Sequence, residues 1–197
     1  MNLCPAASTA TLSDEHLLDR FTAGDRLALD ELFRRYRQPA YRVAYRLLGN
    51  EADALDAVQE GFVKALTHLH GFQGRSSFKT WLLRVVSNAA LDLGRQRGRR
   101  ETVSLDTGAA GEAPHAGLLS MDETSQGLDR AELRMLLDQA LAILSPVQRQ
   151  TFVLYAEAGL SYREVAEAMG TSIGTVMSRL YYARQKLRGF LNERAHS

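Results

Sequence analysis

Residues 161–187 read SYREVAEAMGTSIGTVMSRLYYARQKL, and the spacing of apolar and small residues in this stretch sets the fold class of its surroundings. Val165, Ala166 and Met169 fall on one face of a helix, with Ala166 small enough for a second helix to cross closely. Ser161, three residues before Glu164, has the pattern that satisfies the free amides at a helix start. Gly170 supplies a tight turn, after which Thr171 or Ser172 can cap a second helix whose Ile173, Val176, Leu180, Ala183 and Leu187 face inward. Two such helices make a helix-turn-helix; a plain helical hairpin with a solvated charged face is the alternative. The outward face of the second helix presents Thr175, Met177, Ser178, Tyr181 and Tyr182, flanked by Arg179, Arg184 and Lys186, with Arg163 on the helix before it. Hydroxyls and apolar tips can read base edges and thymine methyls in a major groove, while the cations sit on phosphates.

Outward from this stretch, apolar positions recur at three- and four-residue spacing along most of the chain, and no alternating β-branched run appears. The pattern predicts an all-α protein with helices near 14–22, 25–47, 51–69, 77–97, 128–144, 146–157, 162–169 and 172–191. Ser145-Pro146-Val147-Gln148 marks a start with a capping serine, a proline at the first helical position and a glutamine at the third. The exception is Glu101 to Gly127, rich in glycine and acidic residues and too poor in apolar surface to form a core. It reads as a linker of about 27 residues, able to reach on the order of 90 Å when extended. The expected organisation is a tail over 1–12, a first helical domain over 13–100, the linker over 101–127 and a second, helix-turn-helix domain over 128–192. Tethering lets the two domains occupy separate sites, each raising the other's effective concentration; a loop without functional consequence is the alternative.

The bulk properties exclude several classes. Of 197 residues, 45% are apolar and 24% charged, ordinary for a soluble globular chain. The single cysteine, Cys4, permits no internal disulfide and no thiolate metal site. No apolar run is long enough to span a membrane and no secretion signal opens the chain, so a reducing cytoplasm is the expected location. The five histidines, His16, His68, His70, His115 and His196, form no metal-binding spacing, and no phosphate-cradling glycine loop or nucleophile elbow is present. The expectation is therefore no enzyme, no catalytic residue, no metal and no cofactor. The net charge is only +1, but it is segregated: Arg75 to Arg100 is strongly basic and Asp106 to Glu132 strongly acidic. That suits a phosphate-facing surface beside a solvated connector.

Two further stretches, DALDAVQEGFVKAL at 53–66 and FQGRSSFKTWLLRVVSN at 72–88, resemble the second domain of extracytoplasmic-function (ECF) sigma factors. Ser13-Asp-Glu-His-Leu, Gly24-Asp25 and Asp92 with the arginines up to Arg100 extend the resemblance. LSPVQR at 144–149, GLSYREVA at 159–166 and GTVMSRLYYAR at 174–184 resemble the fourth domain. The resemblance implies two small helical domains, sigma region 2 and sigma region 4, that direct core RNA polymerase to promoter DNA.

By the same resemblance, Asp53, Asp56, Gln59, Glu60 and Phe62 would dock on the clamp helices of the polymerase largest subunit. Asp56, Gln59 and Glu60 share one helical face, although an exposed acidic face is by itself ordinary. His68, Phe72, Val85 and Asn88 match a pocket for a base swung out of the -10 strand: an aromatic to stack, an aliphatic wall and an amide that donates and accepts. Phe72 and Val85 serve equally well as core residues, and Trp81 is assigned to the core. Arg75, Ser76, Ser77 and Lys79 would hold adjacent phosphates, and Arg95, Arg97, Arg99 and Arg100 the neighbouring duplex. Arg163, Thr175, Met177, Ser178, Arg179, Tyr181, Tyr182, Arg184 and Lys186 would read the -35 element. Other implied partners are the flap of the second-largest polymerase subunit and an anti-sigma factor; no membrane insertion is implied. The chain departs from the family pattern at Leu55 and Ala57 in the docking helix, and at Met177 and Tyr182 in the reading helix. The competing function is a helix-turn-helix regulator that binds duplex DNA without polymerase, usually as a dimer on paired half-sites.

Overall fold

The computed structural model describes residues 12–106 and 127–195, with side chains omitted at a few positions near those boundaries and at His70. Cys4, the tail and the central part of the expected linker lie outside the described residues. Helices α1 (Asp14–Thr22), α2 (Arg26–Leu48), α3 (Glu51–His68) and α4 (Phe78–Asp106) form the first unit. A 3-10 turn at Leu69–Gly71 leads out of α3. Helices α5 (Gly127–Ala142), α6 (Pro146–Ala156), α7 (Tyr162–Met169) and α8 (Ile173–Ala195) form the second. No strand occurs among the described residues.

Local chemistry places most helix starts. Ser13, Asp25 and Asn50 accept backbone N–H groups at the heads of α1, α2 and α3. Ser145 and Ser161 form complete capping boxes with Gln148 and Glu164, as their spacing predicts. Gly170 ends α7 in the left-handed conformation, φ 58°, and Ser172 accepts the Thr175 amide ahead of α8.

Two expectations are revised. The fourth helix continues to Asp106 instead of ending near Arg97, because no residue from Gly98 to Asp106 breaks a helix outright; glycine lowers helix propensity by only about 1 kcal/mol. Ile173, expected to face inward, is 46% exposed. It occupies the first position of α8, ahead of the turn that packs through Val176, Leu180 and Ala183.

In the first unit, Leu17, Leu32, Val43, Leu82, Leu83 and Val86 are fully buried. Helices α3 and α4 approach closely at Gly61, where an added Cβ would stand 2.9 Å from the Val86 Cα. In the second unit, Val153, Leu154, Val165, Val176 and Leu180 form the centre.

The two units pack against each other, chiefly through α4 on α7 and α2 on α6. The seam carries many polar contacts. Arg46 Nη1 meets Asp138 Oδ1 at 3.0 Å, and Arg42 Nε meets Glu157 Oε1 at 2.9 Å. Arg149 donates from Nε to the Leu141 carbonyl and from Nη1 to that of Leu47, 2.8 and 3.2 Å away, which ties the ends of α5 and α2 together. Burial lowers the pKa of this guanidinium, though arginine stays charged throughout the physiological range.

Candidate nucleic-acid interface

Where α3 ends beside α4, Lys64, His68, Trp81, Arg84, Val85, Asn88 and Ala89 line a concavity of about 310 Å³. This is near the lower end of small-ligand pockets, a suitable scale for one planar group. Three of the four residues matched to the pocket from sequence, His68, Val85 and Asn88, meet here. The fourth does not: Phe72 lies in a ring cluster, 5.2 Å from Trp81 and 6.1 Å from Phe78 by centroids, and lines a separate hollow beside α1. Trp81, assigned to the core, does pack on it while only half-buried, and supplies the aromatic wall of the concavity.

The polar atoms of this hollow have definite roles. His68 Nδ1 lies 2.7 Å from the Lys64 carbonyl, which can only accept, so the proton resides on Nδ1. In the neutral ring Nε2 is then an acceptor. Lys64 and Arg84, which the pocket match did not include, bring cations to the rim; Lys64 Nζ is also 2.6 Å from Glu60 Oε1. The four-residue step from Glu60 to Lys64 to His68 on one helix was the available signal. Val85 is half-buried and forms both wall and core edge.

Among the phosphate candidates, Arg75 is exposed, and Ser76 and Lys79 are partly so. Ser77 is committed locally: its Oγ accepts from the Thr80 amide at 3.1 Å and lies 2.8 Å from Thr80 Oγ1. Thr80 Oγ1 in turn donates to Glu164 Oε1 at 3.1 Å, so the Ser77 hydroxyl must donate to Thr80. Arg95 pairs with Asp92, and Arg99 is exposed. Arg97 Nη1 meets Asp53 Oδ2 at 2.6 Å, which joins two residues assigned to separate surfaces. Burial is the largest influence on Asp53 and raises its pKa; the hydrogen bonds from Asn50 and Arg97 outweigh it and leave the carboxyl below its ordinary value. The side chain of Arg100 lies outside the described residues.

On the face of α3 assigned to docking, Asp56, Gln59 and Glu60 are exposed. Phe62 turns inward instead, with its ring 4.7 Å from that of Phe33. Leu55, Val63 and Leu66 are 52%, 54% and 44% exposed, and give this helix an apolar component that charge-based reading missed.

On α8, Met177, Ser178, Tyr181, Tyr182, Arg184 and Lys186 all reach solvent, while Thr175 and Arg179 are half-buried. The Tyr181 and Tyr182 rings meet edge to face, centroids 5.4 Å apart. Arg184 lies over the Tyr155 ring at 5.3 Å, and its pKa is raised chiefly by hydrogen bonding to Tyr162, so the cation is held beside the outward face of α8. Lys186 Nζ is 3.2 Å from Gln148 Oε1, and Arg163 is exposed beside Glu167.

A helix-turn-helix packed against a four-helix unit that carries a cationic, aromatic-walled hollow defines an all-α protein of two helical units. Residues 32–100 match the Sigma-70 region 2 family and residues 134–187 match Sigma-70, region 4. The chain is 33% identical over 178 residues to the ECF RNA polymerase sigma-E factor of Escherichia coli, covering 89% of this chain and 93% of that one. It is 32% identical over 177 residues to the RNA polymerase sigma-H factor of Pseudomonas aeruginosa, covering 88% and 91%. To the ECF RNA polymerase sigma factor SigE of Mycolicibacterium smegmatis it is 36% identical over 174 residues, covering 85% of this chain and 64% of that relative. Among solved structures, CnrH in complex with the cytosolic domain of CnrY superimposes with a TM-score of 0.69 at 26% identity, covering 91% of this chain and 97% of that one. The sigma factor RpoE of Bartonella quintana, in complex with the anti-sigma factor NepR, gives 0.65 at 26% identity, covering 83% and 96%. The chain belongs to the ECF family of RNA polymerase sigma factors.

Proposed function

We propose that this sigma factor acts as a non-catalytic specificity subunit in the cytoplasm, with the work divided between the first helical unit, which runs to the end of α4 at Asp106, and the second, which begins with α5 at Gly127, joined by the residues between them. Asp56, Gln59 and Glu60, with the exposed Leu55 and Val63, meet the clamp helices of core polymerase. The hollow at His68, Trp81, Val85 and Asn88 takes an unstacked -10 base. The outer face of α8 reads the -35 major groove, and region 4 also meets the polymerase flap. An anti-sigma protein restrains the chain, by analogy with the relatives whose structures contain such partners.

The observation that carries this reading is the convergence of an aromatic wall, an aliphatic wall, an amide and two cations on one hollow. Extruding a base costs a few kcal/mol, which stacking and edge hydrogen bonds must return. Opening several base pairs at about 1.4 kcal/mol per step exceeds what one pocket offsets, so polymerase supplies the rest. The test is run-off transcription of genomic fragments by core polymerase with and without the full chain. New start sites with -10 and -35 elements at fixed spacing are expected. Specific duplex binding by the chain alone, with no change in start sites, would refute the proposal in favour of a conventional regulator.

A further inference from the structure

An apolar stripe runs along the outer face of α8. Ile173, Met177 and Tyr181, spaced four residues apart on one side of the helix, are 46%, 53% and 63% exposed. Tyr182 braces the last of them edge to face, with ring centroids 5.4 Å apart. Every exposed residue of α8 from Ile173 to Tyr182 is uncharged and none carries an amide; Arg179, the one cation in that stretch, is half-buried. Arginine or lysine on the O6 and N7 edge of guanine, and asparagine or glutamine on adenine, are the common base-reading pairs of a major groove. The exposed part of this stretch offers neither. An apolar tip can still read the C5-methyl group of thymine, which guanine and unmodified cytosine lack. Arg184 lines the same hollow as Met177 and Tyr181, and Lys186 is exposed on the next turn. Cations beside an apolar strip suit a phosphate-bearing partner.

We propose that Ile173, Met177 and Tyr181 specify the -35 element by contact with pyrimidine 5-methyl groups, so that A·T pairs at defined steps carry its sequence information. The inference rests on the reading of α8 as the -35 helix and names the chemical group that helix recognises. Successive stripe residues stand about 6 Å apart along the helix axis, close to the rise of roughly two base pairs. Contacted methyl groups are therefore expected about two steps apart. Ser178 Oγ donates to the Thr175 carbonyl at 3.0 Å, which leaves it an acceptor for the adenine N6 amino group of such a pair.

The test uses holoenzyme made from core polymerase and the full chain, which first selects from promoters randomised across the -35 element. Each -35 thymine of the selected promoter is then replaced singly by deoxyuridine, which removes the methyl group and keeps every hydrogen-bonding group. Open-complex formation at limiting holoenzyme should fall roughly fourfold at a contacted thymine, the effect of leaving one methyl group unburied. In Met177→Ala this penalty should vanish at one position, and in Ile173→Ala at another about two base pairs away, whereas Met177→Leu retains it. An element selected without thymine, equal use of thymine and deoxyuridine throughout, or a penalty unchanged in both alanine variants overturns the inference. Loss of core polymerase binding by the alanine variants overturns it too, and marks the stripe as a protein-docking face. The reading of α8 fails separately, if Ser178→Ala with Tyr182→Ala selects the same -35 sequence as the unaltered chain.

Discussion

Gly61 offers a sharp check on the α3/α4 packing that builds the proposed pocket and docking face. In Gly61→Ala the new methyl would stand 2.8 Å from Val86 Cγ2 and 2.9 Å from Val86 Cα. Carbon atoms in favourable contact sit about 3.5–4.0 Å apart, so the two helices must separate by roughly 0.6 Å or more. Rotating the Val86 side chain relieves only the first contact, because the Cα is backbone. Overpacking of this kind costs about 1–3 kcal/mol, against a gain of about 1 kcal/mol from replacing a helical glycine by alanine. Gly98, helical and in the same unit, has nothing within 4 Å of its added Cβ and collects only the gain. Gly94 is intermediate, meeting the mobile tip of Leu48 at 3.4 Å. The difference between Gly61→Ala and Gly98→Ala should therefore be about 1–3 kcal/mol, or about 2–12 °C in Tm for a chain of this length. Thermal melts followed by circular dichroism measure it, with Gly94→Ala falling between. If Gly61→Ala is stabilised as much as Gly98→Ala, the close approach of α3 to α4 is wrong, and the pocket geometry goes with it.

The functional predictions divide by unit. Asn88→Ala should slow open-complex formation and flatten base preference at one -10 position by about tenfold, while association with core polymerase in a pull-down stays intact. Loss of core binding with promoter selectivity retained would refute that role. Ser178→Ala with Tyr182→Ala should weaken -35 discrimination alone, and an unchanged -35 profile from randomised promoters would count against the reading of α8. Asp53→Asn should destabilise the first unit at neutral pH by about 1 kcal/mol or less, because the Arg97 partner is partly solvated. The Asp53 pKa is depressed in the folded chain, so this contribution is present above the unfolded value near 4 and lost as pH falls through the lower folded value. Urea titrations should show the two proteins converging in that acid range; a difference that persists at its full size would refute the linkage.

Local chemistry was the legible part of the sequence. The capping serines at 145 and 161 and the turn at Gly170 appear where spacing predicts them, because each is a contact within four residues. The inward turn of Phe62 toward Phe33 and the displacement of Phe72 by Trp81 in the hollow were not legible. An aromatic at the border of a small helical unit satisfies either a core or a surface assignment, and only the packing of α2 and α4 decides between them. The pairing of Asp53 with Arg97 and the meeting of Gln150 with Asn88 join residues about 44 and 62 positions apart. Periodicity along one helix carries no information on such partners.

The two oxygens of Glu164 have separate partners. Oε2 closes the capping box with the amide and hydroxyl of Ser161, while Oε1 alone reaches Thr80 in the other unit. The backbone hydrogen bond from Ser161 is the main reason this carboxyl stays below its usual pKa. Detachment therefore costs the side chain one acceptor site, which water can fill, and leaves the first turn of α7 anchored. The helix-turn-helix can let go of its neighbour without fraying at its own start, which is what a module needs if it is to move as an intact body.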